Sequence, residues 1–467
     1  MAVYCSITGL AYPVEPPFLS LSETNFRMRL RCSSARTIAT GLVAVGLVLC
    51  VSSSVFAANR TWTNSGYSVG SGDRGKWGTS FASNWRINLV PTASDVGWFG
   101  STLLNGFSIS VQPNTQVGGI GLTSITTGNA FGYRFSTNAI TVGSQGIQNV
   151  SGKIVVFSPG AVLSADQTWS GSGVGSAMAF SAVDLNGYNL ITSTDVEIST
   201  LNQNGGTAST LTVSGGNLSI TGGGPSSLVN FAVSSGTLST LDGLGGGGFD
   251  TSLSALSVAS TGVYNNTKLN ATPGQTTWDQ VTMSSGTIDL MGVGGLLVTN
   301  GTNGYAQSGG TIKQYVGYDP GLDALVSSLI QATDGGGSMT GPLSFGGTLD
   351  IDFTGSGAET FVTGAGWQLF QGVVTGTTSF SSVLLENVDP ASPYYGLTFH
   401  AAENGDFWTD ASAVNGQQLV FYRDTGQLVV VPEPSTIVFA GIGVAMCGWT
   451  MLKRRRLGRV IFHSNRG

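Results

Sequence analysis

Short runs of apolar residues, separated by glycine, serine and threonine, recur through the central part of the chain, between residues 106 and 318. Such brief runs are typical of β-strands joined by tight turns. One motif returns in them, namely serine, then serine or glycine, then glycine, then threonine or asparagine, then an aliphatic residue. Its clear copies are Ser214–Leu218, Ser234–Leu238, Ser284–Ile288 and Ser308–Ile312, and a degenerate copy is Ser260–Val263.

The aliphatic residues that close these copies are spaced by 20, 25, 25 and 24 residues, and they are Leu218, Leu238, Val263, Ile288 and Ile312. This interval fits one coil of a β-helix, whose short strands stack about 4.8 Å from those of the next coil. We therefore predict an all-β protein whose body, residues 106–318, is a right-handed parallel β-helix (a β-solenoid). The recurring glycine is expected to supply a positive φ at the same corner of each coil. A β-sandwich array is the alternative, but it gives no reason for one turn to return at this interval.

The segment before the predicted solenoid, residues 58–105, is rich in aromatic residues. A solenoid needs a cap over its first core layer, and large aromatic side chains cover such a layer well. We predict an aromatic N-terminal cap here, and a sugar-stacking surface is the alternative. The tryptophans of this segment are Trp62, Trp77, Trp85 and Trp98.

The segment after the predicted solenoid changes its pattern twice. In residues 319–337, apolar residues recur at helical spacing before Gly335–Gly337, which predicts a short capping helix and a glycine linker. Residues 338–430 alternate again and are predicted to form a C-terminal β module, either separate or made of terminal coils. The residues at helical spacing are Leu322, Leu325, Val326, Leu329 and Ile330.

An apolar run near the start of the chain has the pattern of an export signal. Ile38–Val51 follows three arginines and precedes small residues, which is typical of a signal peptide. We assign residues 1–57 to an N-terminal extension and signal peptide, with translation expected to start at Met28 and cleavage expected between Ala57 and Ala58. An uncleaved membrane anchor is the alternative.

A second apolar run lies near the end of the chain. Residues 437–452 carry no charge and would span about 24 Å as a helix, so we predict a single transmembrane helix. The basic cluster that follows is expected to act as a membrane stop signal, because basic residues stay on the cytoplasmic side. Residues 457–467 then form a basic cytoplasmic tail, and the body lies outside the cell. The stop signal consists of Lys453, Arg454, Arg455 and Arg456.

The residues around this second run resemble a known sorting signal. A Pro-Glu-Pro motif, a glycine-bearing apolar segment and an arginine cluster follow one another in residues 431–456, which resembles the PEP-CTERM sorting domain of exported bacterial proteins. The resemblance implies that an exosortase, a membrane-embedded processing enzyme, acts on the segment, usually in bacteria that make exopolysaccharide. The tail after the arginines is longer than the family usually has. The sorting motif is Pro432, Glu433, Pro434, Ser435 and Thr436.

A looser resemblance concerns the body of the chain. The pairs Asn84-Trp85 and Asp95-Val96, with Pro91 between them and Val117–Ile120 after them, resemble autotransporter-associated β-strand repeat proteins.

Composition narrows the classes of partner for the exported body, residues 58–430. This region carries 22 acidic and 9 basic residues, a net charge of −13, whereas the whole chain carries −6. An acidic surface with few lysines argues against nucleic acid as a partner. All 4 cysteines of the chain lie outside the region, so it offers neither disulfides nor thiolate metal ligands.

Candidate chemistry in the body is sparse. His400 is its single histidine, so a Ser-His-Asp triad would depend on it alone, and we expect a surface or edge residue instead. Gly245–Asp250 fits the start of the calcium-binding GGxGxD repeat, but Ser252 stands where that repeat needs a large apolar residue, which favours a flexible turn. We expect no metal and no cofactor.

Two pairs of carboxylates project from one face of a strand each, namely Asp195 with Glu197 and Asp350 with Asp352. Such pairs could bind calcium or serve as acid and base in a polysaccharide lyase or glycosidase. Solvated strand faces are the simpler interpretation.

These observations predict an exported cell-surface or extracellular-matrix protein with a structural or adhesive role. Its expected partners are the exosortase, signal peptidase and the membrane, with exopolysaccharide as a further candidate. The alternatives are a carbohydrate-binding surface protein and a β-helix enzyme acting on polysaccharide. The enzyme would be favoured if Asp195, Glu197, Lys153 and Arg134 gathered in one groove.

Overall fold

The computed structural model describes residues 58–62, 75–77, 89–100, 108–123, 131–221, 229–242, 251–268, 272–273, 275–320, 322–353, 362–392, 394–409 and 417–432. These residues form strands, turns and irregular segments, and none of them lies in a helix. Accordingly, no helix in this part of the chain is long and apolar enough to cross a membrane. The predicted transmembrane helix, residues 437–452, lies outside the described residues.

The strands of the first half are β1 Asn59–Trp62, β2 Gly75–Trp77, β3 Val96–Phe99, β4 Ser108–Val111, β5 Gln116–Leu122, β6 Phe131–Ser136, β7 Ile140–Asn149, β8 Ile154–Phe157, β9 Ala161–Leu163, β10 Gln167–Gly171, β11 Ala177–Phe180, β12 Val183–Asp184, β13 Leu190–Thr192, β14 Asp195–Ile198, β15 Leu201–Asn202, β16 Ser209–Ile220 and β17 Val229–Asp242. Those of the second half are β18 Thr251–Val258, β19 Val263–Lys268, β20 Thr272–Pro273, β21 Gln275–Met283, β22 Thr287–Asp289, β23 Leu296–Thr299, β24 Tyr305–Gln307, β25 Thr311–Asp319, β26 Ala324–Ser327, β27 Leu329–Ala332, β28 Pro342–Ser344, β29 Thr348–Asp352, β30 Gly366–Gln368, β31 Phe370–Gln371, β32 Val373–Val374, β33 Ser382–Glu386, β34 Phe399–Ala401, β35 Phe407–Thr409, β36 Gln417–Tyr422 and β37 Gln427–Pro432.

Strands of successive coils pair in parallel and form continuous ladders. One ladder runs through β2, β4, β6, β8, β11, β14, β16, β17, β19, β22, β25, β29 and β33. A second runs through β13, β16, β17, β18, β21, β24, β28 and β32. The parallel β-solenoid predicted from the repeat interval is therefore confirmed, and its coils extend on both sides of residues 106–318.

The aliphatic residue of each repeat faces the core and lies over its counterpart in the next coil. The register joins Leu218 to Leu238, then to Tyr264, then to Ile288 and Ile312. The prediction of Val263 for the third position was wrong by one residue. In the clear copies the core residue stands two positions after the corner glycine, and the residue two positions after Gly262 is Tyr264. A slip of one residue moves a side chain to the other face of a strand. Tyr264 is accordingly fully buried, and Val263 is only half-buried.

The expected glycine corner is confirmed in the clear copies of the motif. Gly216, Gly236, Gly286 and Gly310 all have φ between 66° and 80°. Each also packs against the backbone of the preceding coil, as a Cβ on Gly236 would lie 2.2 Å from the carbonyl oxygen of Gly216. Both the positive φ and the close approach exclude larger side chains there.

Stacked aromatic rings fill the core of the early coils. The Phe135 and Phe157 ring centroids lie 4.6 Å apart at an interplanar angle of 9°, and those of Phe157 and Phe180 lie 4.5 Å apart at 6°. These distances are close to the strand spacing, because the rings occupy the same position of successive coils. Trp77 of the predicted aromatic cap is fully buried and packs on Phe99, whose ring centroid is 5.4 Å away. Its strand β2 is already part of the first ladder.

The short helix predicted in residues 319–337 is not formed. β26 instead folds back in antiparallel pairing on the end of β25, and β27 pairs in parallel with β23. Ile330 and Ala332 point inward and alternate with half-buried residues, which is a period of two. The apolar spacing resembled a helix because two short strands of different orientation follow each other there.

The segment 338–430 contains both terminal coils and a separate sheet. β28, β29, β31, β32 and β33 continue the parallel ladders. β30, β37, β36, β35 and β34, in that order, form an antiparallel sheet. This sheet packs Phe421 against Phe370 and Phe380, with ring centroids 6.1 and 5.8 Å away, so it covers the last coils of the core.

Candidate functional site on the outer face of the terminal coils

The parallel ladder brings charged residues of three coils together on its outer face. In the strand register Lys313 of β25 lies opposite Asp350 of β29, while Asp352, two residues further along β29, lies opposite Glu386 of β33. The core residues Ile312, Leu349 and Val383 precede these positions in the same strands. Since side chains alternate across a strand, the charged groups all project away from the core. We call Lys313, Asp350, Asp352 and Glu386 the outer charge cluster.

Lys313 is the centre of the cluster. Its Nζ lies 3.1 Å from Asp352 Oδ2 and 3.2 Å from Glu386 Oε2. The amide of Asn387 donates a hydrogen bond from Nδ2 to Asp352 Oδ2 over 2.7 Å. One carboxylate oxygen of Asp352 therefore receives hydrogen bonds from an ammonium and an amide at once.

The two aspartates are buried although they face outward. Asp352 is 2% exposed and Asp350 is 6% exposed, and Asp350 Oδ1 has no hydrogen-bond partner. The interpretation of this pair as a solvated strand face was therefore wrong. The charged and aromatic side chains of neighbouring coils cover the strand at this point, which the sequence of one strand cannot show.

Burial shapes the protonation of the cluster. Burial together with the neighbouring charge of Glu386 raises the pKa of Asp350 to about 7. Burial by itself lowers the pKa of Lys313, but its hydrogen bonds to Asp352 and Glu386 outweigh that effect and raise the pKa above its ordinary value. Lys313 is therefore charged at neutral pH, whereas Asp350 holds a proton for part of the time.

Tyr315 forms one side of the cluster. Its hydroxyl donates a hydrogen bond to Asp289 Oδ1 over 2.9 Å, and its ring centroid lies 5.7 Å from Lys313 Nζ. Burial and the charge of Asp289 raise the pKa of this tyrosine, so the hydroxyl remains a donor. The aromatic ring and the two buried carboxyls give Lys313 a surrounding poor in water.

The arrangement fits ionic cross-linking of coils better than metal binding. Within the described part of the chain, no group of three or more histidine, cysteine, aspartate or glutamate side chains is arranged to hold a metal ion. An ammonium occupies the centre of the cluster. The sequence did carry a signal for this site, because aligning the repeats by their core residue puts Asp289, Lys313 and Asp350 in one row.

The other predicted pair, Asp195 with Glu197, is exposed on the outer face of β14. Asp195 Oδ1 accepts hydrogen bonds from the backbone N and from Nδ2 of Asn217, in the next coil, over 2.9 and 3.2 Å. Asp166 accepts equivalent bonds from Asn189, and Asp184 from Asn204. These carboxylates therefore join one coil to the next.

The basic residues proposed to accompany that pair do not join it. In the register, Arg134 lies opposite Val156, Val156 opposite Ala179, and Ala179 opposite Glu197. Three strand steps correspond to roughly 14 Å, so Arg134 and Glu197 do not form one site. Arg134 Nε instead donates a hydrogen bond to Ser158 Oγ over 2.9 Å. Lys153 precedes β8, two strands away from the strand of Asp195.

His400 lies exposed on β34, which is an edge strand, as expected from the sequence. Its ring centroid lies 5.0 Å from that of Trp408 in the neighbouring strand.

Two tryptophans of the N-terminal segment have described side chains, and these two do not share one surface. Trp77 points into the core, whereas Trp98 is half-buried on the outside, where its Nε1 donates a hydrogen bond to Asn59 Oδ1 over 3.0 Å. The Trp62 side chain and Trp85 lie outside the described residues. The two described rings therefore provide no common sugar-stacking platform.

Several predicted positions lie at or beyond the limits of the described residues. Pro432 is the last residue of β37, and Ala58 is the first described residue of its segment. Ala57 and Gly245–Asp250 lie outside the described residues. So do the rest of the sorting motif and the whole stop signal, which are Glu433, Pro434, Ser435 and Thr436, and Lys453, Arg454, Arg455 and Arg456.

Comparison with known proteins found no matching family model, no matching curated protein and no matching solved structure.

Proposed function

We propose that this chain is an exported structural or adhesive protein of a bacterial cell surface or extracellular matrix, with a right-handed solenoid and a C-terminal transmembrane helix over residues 437–452. An exosortase would process it at the motif that begins at Pro432. The observation that carries the proposal is that β37, the last strand among the described residues, ends at Pro432. The remainder of the motif follows Pro432 directly in the sequence, so processing there would release the body just after this strand.

The structural role is supported by how the coils are held together. Core residues stack in register through the ladders, and outer carboxylates such as Asp195 bond the backbone of the next coil. A solenoid in which each coil contacts its neighbours presents a long, regular surface suited to a scaffold. The acidic body disfavours nucleic acid and leaves neutral exopolysaccharide as the candidate ligand.

The start of the body supports signal-peptide cleavage between Ala57 and Ala58. The backbone N of Ala58 donates a hydrogen bond to Asp95 Oδ1 over 3.2 Å, and Arg60 Nε lies 3.6 Å from Asp95 Oδ2. Cleavage would turn this N–H into a charged α-amino group beside a buried carboxylate, which strengthens the hydrogen bond. N-terminal sequencing of exported protein should begin at Ala58, and a sequence beginning at Met1 or Met28 would show an uncleaved anchor.

The sorting proposal is tested by replacing Pro432, Glu433 and Pro434 with alanine in the full chain. Membrane insertion should remain, because the apolar run and the arginines are unchanged. The variant should accumulate uncleaved in the membrane of a host with an exosortase, while the wild type reaches the surface or the medium. Immunoblots of membrane and extracellular fractions measure this, and Gln427→Ala, an exposed change in β37, is the control. Identical fractionation of wild type and variant in hosts with and without the enzyme would refute the proposal.

A further inference from the structure

The outer charge cluster holds a lysine and a carboxylate in contact where water is scarce. Asp352 is 2% exposed, and Lys313 Nζ lies 3.1 Å from its Oδ2. Burying such an ion pair costs desolvation energy, which the attraction between the charges only partly repays. A reaction that removes both charges would remove this cost.

We propose that Lys313 and Asp352 condense to an amide, so that this site is a self-made covalent cross-link between β25 and β29. The reaction is balanced without any added reagent. The ammonium and the carboxylate together become one amide and one water, because two of the three hydrogens on Nζ leave with one carboxylate oxygen. No oxidant, reductant or activated group is required.

The chain provides a group for each step. Transfer of one proton from Nζ to the Asp352 carboxyl, where it resides on Oδ1, leaves a neutral amine, whose lone pair attacks Cγ of Asp352. Negative charge then develops on Oδ2, where the Asn387 amide already donates a hydrogen bond of 2.7 Å. Glu386, 3.2 Å from Nζ, accepts the second proton and returns it to the departing hydroxyl, which leaves as water.

Burial favours the product as well as the reaction. The Asp350 carboxyl is 6% exposed, its Oδ1 has no hydrogen-bond partner, and it faces outward from the same strand as Asp352. Whenever Asp350 is protonated, it adds no negative charge beside the oxygen that becomes anionic. Since little water reaches Asp352, the finished amide is protected from hydrolysis.

Asp352 is better suited than Glu386 to be the carboxyl that the amine attacks, because its side chain is far less exposed. The side chain of Glu386 is 48% exposed, whereas that of Asp352 is 3% exposed. The buried side chain of Asp352 is held in place against Nζ, whereas the exposed side chain of Glu386 is in contact with water. Glu386 is therefore assigned to proton transfer.

The mass of the purified full chain tests the proposal directly. The measured mass should be about 18 Da below the mass of the same polypeptide with free side chains, which is the loss of one water. Trypsin should also fail to cut after Lys313, because it requires a charged side chain, and the uncut fragment should carry the same deficit. A fragment that ends at Lys313 in full yield, or an unaltered mass after prolonged incubation of folded protein, would overturn the proposal.

Variants locate the bond and separate it from a plain ion pair. Lys313→Arg should remove the mass deficit and restore the trypsin cut while keeping a positive charge. Asp352→Asn should still cross-link but lose about 17 Da, because ammonia leaves instead of water. Lys153→Arg is the matched control and should keep the wild-type deficit. Circular dichroism identifies any variant that fails to fold, and a deficit that persists in folded Lys313→Arg would also overturn the assignment.

Discussion

Gly286 shows what a single corner of a coil demands of its residue. It adopts φ of 80°, and a Cβ there would lie 2.3 Å from the carbonyl oxygen of Gly262 in the preceding coil. Gly294 has a similar φ of 83° but no atom within 4 Å of the added Cβ. Substitution of Gly294 therefore tests backbone strain alone, whereas substitution of Gly286 tests backbone strain together with crowding between coils.

We expect Gly294→Ala to lower the free energy of unfolding by about 1 kcal/mol, the usual cost of positive φ for alanine. Gly286→Ala should cost more, roughly 3 kcal/mol or above, because the backbone of two coils must also move apart. Urea unfolding of both variants measures the difference. Equal losses would show that the coils do not touch at this corner.

Asp350 makes stability depend on pH. Its pKa in the folded protein is raised to about 7 from an ordinary 3.8, so folding favours the protonated form. The contribution is therefore fully present below about pH 4 and is lost as the pH rises through about 7. Asp350→Asn keeps the shape without the charge and should raise the melting temperature at pH 8 but change it little at pH 4.

The control for this experiment is Asp195→Asn, which alters a carboxylate on the exposed face of β14. It should not reproduce the gain at pH 8. If Asp350→Asn melts at the wild-type temperature at both pH values, the Asp350 carboxyl is not buried in solution.

Among individual residues, the corner glycines were predictable because they recur in phase with the repeat. The burial of Asp350 and Asp352 was not, because the residues that cover them belong to other coils. Asp352 and its partner Glu386 are 34 positions apart in the chain and meet only through the parallel register.

The strands β26 and β27 decide between two interpretations of the same apolar residues. In a helix, Leu322 and Ile330 would belong to one apolar face. In the structure, Leu322 is 71% exposed in a turn, and Ile330 is fully buried under the neighbouring coils.

Ile330→Ala should therefore cost about 2–5 kcal/mol of unfolding free energy, the range for removing a large aliphatic side chain from a core. Leu322→Ala should change it by no more than about 0.5 kcal/mol, because an exposed leucine loses little on truncation. Chemical denaturation of the two variants tests this. Similar losses in both would favour the helix.

Individual strands were predictable where polar and apolar residues alternate through several copies of the repeat, as around Leu238 and Ile288. The assignment failed where one copy is irregular, at Val263, and where a hairpin interrupts the coil, at residues 319–337. In both places local spacing was ambiguous, and pairing with a neighbouring coil decided the structure.

The stacked coils need a cover at their ends, and the antiparallel sheet provides one at the C-terminal side. Phe421 of this sheet is fully buried against Phe370 and Phe380. Its neighbour Tyr422 points the other way and is 36% exposed. The sheet therefore has one face on the core and one toward solvent.

Phe421→Ala should destabilise the protein by about 3–5 kcal/mol and promote self-association, because the last core layer and its strand edges become accessible. Tyr422→Ala is the control, and its sedimentation coefficient should equal that of the wild type. Analytical ultracentrifugation with thermal melting distinguishes the two effects. An unchanged melting temperature for Phe421→Ala would show that this sheet does not cap the core.

The sequence by itself determined that the body is a stack of parallel β-coils, since a repeat of about one coil length places equivalent residues above one another. It also determined the glycine corners and the core position of the clear repeats. Only the tertiary structure decided the antiparallel cap, the pairing of β26 and β27 and the outer charge cluster. These features depend on contacts between residues far apart in the chain, whose burial and protonation follow from their neighbours in other coils and not from local sequence.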